Sequence, residues 1–185
     1  MLPAGRWAST GLSKNGSATS DASSAQAQPA TERFTLSSPD APGCMLAAAH
    51  TCDGWAETPS IIWSGAPSGT VSYAVTMHTQ VNHFETHADL VVYDTPQWVS
   101  ELPTTSREIG TFGANSIIGR GEYAPRCSLG PGMKDYVLTV FALQSMPTVP
   151  DRQQGVTREE LLSSTSEITL ASASITVGYT RPTNS

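Results

Sequence analysis

Charge is scarce in this chain. Of 185 residues only 14% are Asp, Glu, Lys or Arg, and 10 Lys+Arg against 16 Asp+Glu leave a formal net charge of -6. With a pI of about 5.1, neither a nucleic-acid backbone nor an anionic membrane surface is an expected partner. No apolar run approaches the ~20 residues that a transmembrane helix needs. Cysteine is also sparse: Cys44, Cys52 and Cys127, with no Cys-x-x-Cys spacing, so no zinc ribbon is expected. An odd count leaves at least one thiol unpaired in a monomer. Three reduced thiols in a cytoplasmic protein, and one disulfide beside a free thiol, both remain open. There is no Gly-x-Ser-x-Gly elbow, and a Ser/His/Asp hydrolase is therefore unsupported.

The length suits one domain with a tail, and 38% apolar content is enough for a core without staples. Residues 1–31 are rich in Ser, Ala, Gly, Thr and Gln, with Leu2, Trp7 and Leu12 as sparse apolar anchors. Such a segment buries too little surface to offset its ordering entropy and is expected to be a disordered tail. It lacks the apolar stretch of a secretory signal. Arg6 and Lys14 among hydroxyl residues, with no acid before Asp21, weakly resemble an organelle transit peptide. A plain tail on a cytoplasmic protein is the simpler expectation.

The folded domain is expected over 32–182. Phe34 and Leu36 alternate with polar neighbours and predict a strand over Arg33 to Ser37. Met45 to Thr51 is short and apolar enough for another, and Ile61 to Trp63 for a third. Tyr73, Val75 and Met77 alternate in a run that predicts a strand from Ser72 to His78. Leu90 to Tyr93 is nearly all apolar, as in a central strand covered on both faces. From Asp94 to Lys134 prolines and glycines predict a long irregular region, and loops of that length are usually functional. Asp135 to Leu143 carries the aromatic and β-branched content of a strand. Thr157-Arg158-Glu159-Glu160 fits a capping box ahead of Leu161 and Leu162. Leu170 to Tyr179 closes the domain as a last strand. The fold class is mainly β with one or two short helices.

Chemistry is expected near the polar loop between the strands at Ser72–His78 and Ala88–Tyr93, where His78, His83, Glu85, His87 and Asp89 cluster. The histidine spacings match no known metal-ligand pattern, so no metal and no cofactor is expected.

Several blocks together are similar to one family. Cys52-Asp53-Gly54, Pro59 and the run Trp63-Ser64-Gly65-Ala66-Pro67-Ser68-Gly69-Thr70 through Thr76 resemble the phosphatidylethanolamine-binding protein family, in its bacterial, Raf-kinase-inhibitor-like branch. Asn115 to Tyr123 resembles that family's Asn-containing loop, Lys134 to Leu143 its His-Arg-Tyr strand, and Leu170 to Thr176 its C-terminal strand. The resemblance spans roughly Phe34 to Tyr179. It implies a large central β-sheet packed on a smaller one, with short C-terminal helices and a shallow pocket for phosphate-like head groups.

The chain departs from the family at that pocket. His78-Thr79-Gln80-Val81-Asn82 stands where the family has Asp-Pro-Asp-Ala-Pro. Asp89-Leu90 stands where it has His-Trp, with His87 two residues earlier on the same face. Lys134 replaces the second pocket histidine, and Tyr123 is kept. An acid where an anion should sit repels it, and Lys134 is placed to pair with Asp89. The expected function is therefore binding of a neutral small organic ligand, or of a protein partner, in a remodelled, non-phosphate pocket. Its ligand-binding set is His78, Asp89, Tyr123, Lys134 and Trp63. An alternative is a cofactor-free isomerase, epimerase or cyclase, of the kind the resemblance associates with natural-product (secondary-metabolite) pathways. Asp89, Lys134, His87 and Tyr123 would then be its proton-transfer groups. A kinase-binding regulator is a third reading, by family analogy alone. A Cys52–Cys127 bridge at the pocket rim and a Cys44–Cys52 bridge are competing pairings.

Overall fold

The computed structural model describes residues 33–80, 85–104, 106–126 and 132–182. The tail expected over 1–31 lies outside them, as do His83 and Cys127. Two antiparallel sheets make up the domain. The smaller has the order β1-β2-β5, from Thr35–Ser37 (β1), Ile61–Ser64 (β2) and Glu101–Leu102 (β5). The larger has the order β6-β4-β3-β7-β8, from Thr111–Phe112 (β6), Thr86–Pro96 (β4), Ser72–Gln80 (β3), Met133–Leu143 (β7) and Thr169–Thr180 (β8).

The large sheet is covered on both sides, and the period-2 alternation of its strands sorts residues between them. Tyr73, Val75 and Met77 of β3, Leu90 and Val92 of β4, Tyr136, Leu138 and Val140 of β7 and Val177 of β8 face inward. There they meet Leu36, Ile61, Trp63 and Leu102 of the small sheet. Ala74, Ala88, Val91 and Tyr93 face outward against Val156 and Leu161 of the α-helix region. This double covering explains why β3 and β4 read as nearly continuous apolar runs.

The α-helix, α1, spans Arg158–Thr165. Its capping box forms as the sequence predicts: Glu160 N–H donates to Thr157 Oγ1 at 3.2 Å, and Thr157 N–H donates to Glu160 Oε2 at 3.0 Å. Leu161 is fully buried beneath it.

Two expectations are corrected. Met45 to Thr51 is not a strand: Met45 makes one parallel bridge to Gly178, and Ala48–His50 forms a 3-10 turn. The reason is local, because Ala48 O accepts both the backbone N–H and the hydroxyl of Thr51, curling the chain before a ladder can form. The region from Asp94 to Lys134 is less irregular than predicted, since β5 and β6, two residues each, extend one sheet apiece. Strands that short carry no readable alternation. Among the described residues no helix is long and apolar enough to cross a membrane.

Thr157→Ala should remove the cap hydroxyl and cost about 1 kcal/mol, lowering Tm by roughly 2–4 °C, while Thr157→Ser should stay near wild type; thermal denaturation followed by circular dichroism reads both.

Candidate functional site

The site is built on an irregularity in β4. Met77 pairs with Leu90 and His78 with Ala88, so Asp89 is an extra residue with no partner on β3. Such a bulge lets two successive side chains face the same way. Leu90 points into the inter-sheet core, and Asp89 points there too. Its Oδ2 accepts from the Thr79 hydroxyl at 2.7 Å, and its Oδ1 accepts from the Arg126 backbone N–H at 3.0 Å. Its own carbonyl accepts from Ala124 N–H at 2.9 Å. The carboxyl is wholly buried. Burial pushes its pKa up from 3.8 to about 7, against the opposing pull of Thr79 and Arg126.

His87 pairs across the ladder with Thr79 and shares Asp89's face. Its Nε2 lies 2.8 Å from Glu85 Oε1, and the Arg126 guanidinium lies 3.7 Å from the same oxygen. His78 does not join them. It pairs with Ala88, on the outward face, and burial together with the Arg158 guanidinium of α1 lowers its pKa to about 4.

Lys134 shares the inward parity of Tyr136 on β7 and lies half-buried. It makes no ion pair with Asp89; among the described residues it makes none at all. With Tyr136 it lines a cleft completed by Thr51, Cys52, Asp53, Arg126, Tyr179 and Arg181. The far wall is closed by Asp53, which accepts from the Tyr179 hydroxyl at 3.0 Å and from Arg181 Nε at 2.8 Å. The Arg181 bond chiefly holds the Asp53 pKa below its ordinary value. The loop turns tightly at Gly54, where a Cβ would fall 2.2 Å from Ala48 O. About 250 Å³ of space opens between these walls to solvent, but only about 10 Å³ of it takes the centre of a water molecule, roughly one water.

Tyr123 is buried, and its hydroxyl donates to His50 O at 2.6 Å. Burial first, then the nearby Asp89 charge, raises its pKa well above 10. It lines a different and roomier groove, with about 580 Å³ of open space, beside Glu57, Thr58, Arg107 and Phe112. Trp63 lies in the inter-sheet core, its ring 5.2 Å from that of Tyr73, and lines none of these spaces. Cys44 is an exposed free thiol, so the Cys44–Cys52 bridge is not formed.

The family model described as phosphatidylethanolamine-binding protein matches residues 36–180. The chain belongs to that family. Among solved structures it is similar to a phosphatidylethanolamine-binding protein homolog from Chlamydia trachomatis, with TM-score 0.69 and 21% identity over 82% of this chain and 98% of the other. It is also similar to E. coli YbcL, described as a new member of the mammalian family, with TM-score 0.70 and 24% identity over 80% of this chain and 99% of that one. These two likenesses concern the fold. A curated relative, a UPF0098 protein of Aquifex aeolicus, is 33% identical over 99 residues, a match that spans 58% of its length.

Within this family fold, Asp89, His87 and Lys134 face the inter-sheet side of the large sheet, with Tyr123 beside Asp89, while His78 is on the other side. Sequence reasoning missed Thr79, which is Asp89's donor, because Thr79 reads as one more β-branched strand residue. It also missed Arg126, Tyr179 and Arg181. The contacts from Asp53 to the last two close across more than 120 residues and leave no local signal. Among the described residues no His, Cys, Asp or Glu group is arranged to hold a metal ion.

The Asp89 shift has a sign. The folded acid holds its proton up to about pH 7, whereas the unfolded one releases it near 3.8, so Asp89 lowers stability as pH rises between those values. The full shift corresponds to roughly 4 kcal/mol. His78 acts oppositely between its folded value of about 4 and its unfolded value near 6.5, where stability rises with pH. Above pH 6.5 only the Asp89 trend remains of the two. In Asp89→Asn, an amide turned so that Oδ1 faces Arg126 and Nδ2 faces Thr79 keeps both contacts. Melting curves from pH 6 to 8 should show the wild type losing stability relative to Asp89→Asn; parallel curves would contradict the buried acid.

Proposed function

We propose that the protein binds a small, uncharged organic ligand in the cleft beside Lys134, Tyr136 and Arg126, and that the cleft selects against phosphate head groups. The observation that carries this reading is the charge count around the cleft. Three cations, Arg126, Lys134 and Arg181, meet Asp53 on Arg181, Glu85 beside Arg126, and the buried Asp89 carboxyl. Once Asp89 is ionised, the three positive and three negative charges cancel. A phosphate dianion would enter with no surplus cation to meet it, and Asp89 beneath would repel it. A neutral molecule can use the Tyr179 phenol oxygen as an acceptor and the Lys134 ammonium as a donor without that penalty. The narrowness of the space favours a ligand of few heavy atoms, with the long Lys134 and Arg181 side chains swinging to admit it.

The isomerase or cyclase alternative draws on one specific observation, an acid with a pKa near neutrality, which suits proton transfer. Against it, Thr79 and Arg126 hold both Asp89 oxygens inward, and the Tyr123 hydroxyl is spent on His50 O. A kinase-binding role rests on family analogy and gains no support from the geometry.

Isothermal titration with inorganic phosphate and with phosphorylethanolamine at pH 8 should give a Kd weaker than about 1 mM for the wild type. Asp89→His should tighten phosphate binding by about tenfold or more, ~1.4 kcal/mol. A wild type that binds phosphate as tightly as Asp89→His would overturn the reading.

A further inference from the structure

The strands that wall the cleft on one face of the large sheet carry a second cluster on the other. Lys134, Tyr136 and Tyr179 point to the inter-sheet side, so Met133, Asp135 and Gly178, which alternate with them, point outward. Gly178 pairs with Asp135 of β7 on one side and makes the parallel bridge to Met45 on the other. Leu46 N–H donates to Gly178 O at 2.8 Å and fixes that bridge. Met45 and Met133 therefore flank the glycine, and their side chains close over it. A Cβ at Gly178 would fall 3.1 Å from Met133 Sδ and 3.5 Å from Met45 Sδ. Gly178 itself is buried beneath them.

Three features of this cluster point to a cation with an affinity for sulfur. The two thioethers meet over a spot that only the lack of a side chain keeps open, yet each methionine stays in solvent, 43% exposed for Met45 and 61% for Met133. Methionines kept for packing alone are mostly buried; here an ion can reach both sulfurs without opening the core. A second kind of soft donor stands next in the chain: Cys44 is a free, exposed thiol, on the turn Pro42–Cys44 that packs against β8. The third feature is charge. Asp135 shares the outward face of Met133, is exposed, and makes no hydrogen bond or ion pair among the described residues.

We propose that this patch is a binding site for a soft monovalent metal ion, Cu(I), held by the thioether sulfurs of Met45 and Met133 and by the Cys44 thiolate, with the Asp135 carboxylate adding negative charge beside them. Thioether and thiolate ligands select Cu(I) over hard cations. The Cys44 thiol releases its proton to solvent on binding. Among the described residues no His, Cys, Asp and Glu side chains suffice for a metal site by themselves; the paired thioethers are what distinguish this one. The site lies on the opposite face of the sheet from the cleft at Asp89 and stands or falls without it.

The probe is Cu(I), supplied without oxygen from its bicinchoninate complex, with the methionine methyl groups followed by ¹H-¹³C NMR. The Met45 and Met133 methyls should move together and stop moving at one equivalent, while the buried Met77 methyl stays in place. Affinity, read by competition with bicinchoninate, should fall about tenfold or more, ~1.4 kcal/mol, in Cys44→Ser, in Met133→Leu and in Gly178→Ala. Met133→Leu removes a donor while conserving volume. Gly178→Ala keeps every donor and fills the space between the sulfurs. Gly178 has no left-handed φ, so the strand accepts Ala there, and an unchanged Tm of the metal-free protein checks each variant. Methyls that stay in place through the first equivalent would mean capture by a thiol alone and would overturn the proposal, as would wild-type affinity in any of the three variants.

Discussion

The buried carboxyl of Asp89 fastens the loop at Arg126 to the large sheet. It has no exposed surface, yet both its oxygens are met, one by a hydroxyl on the neighbouring strand and one by a backbone N–H from the loop at Arg126. A buried acid is tolerable only on those terms. The same residue's carbonyl takes Ala124 N–H, so one position on β4 ties the 124–126 segment to the sheet twice. The Arg126 side chain and the placement of Tyr123 follow from that tie. The bulge is its precondition: with regular alternation before Leu90, Asp89 would share the outward face of Val91, among the apolar residues under α1.

The sheet sorts the polar residues that crowd together in the sequence. His78, His87 and Asp89 lie within twelve residues, but β3 and β4 present them to two separate environments. His87 and Asp89 face the inter-sheet side, with Glu85 and Arg126 close by. His78 faces α1, where burial and the Arg158 guanidinium favour the neutral imidazole. Proximity along the chain is thus a poor guide to shared chemistry in an antiparallel pair, where alternate residues part company at every step.

Much of the fold was legible. The β3, β7 and β8 patterns, the Thr157–Glu160 capping box and the turn chemistry around Gly65 to Gly69 each carry local physics that survives in the structure, and the family resemblance joined them into one architecture. Three things were hidden. The 3-10 turn at Ala48–His50 depends on side-chain bonding of Thr51, which an apolar count cannot see. The bulge at Asp89 requires knowing the partner strand's register. The cleft needs Asp53, Tyr179 and Arg181 to meet across most of the chain. The expectation that Lys134 would pair with Asp89 came from placing both at one pocket; the structure gives Asp89 neutral donors instead and leaves the ammonium at the cleft wall.

The family fold here buries an acid, bonded to the backbone of the cleft residue Arg126 and poised between its two states. The most direct test follows the Asp89 side-chain carboxyl by ¹³C NMR as a function of pH. The account predicts a titration midpoint near 7, far above an exposed aspartate. A midpoint at or below about 4 would show a fully ionised, solvated carboxylate and contradict it.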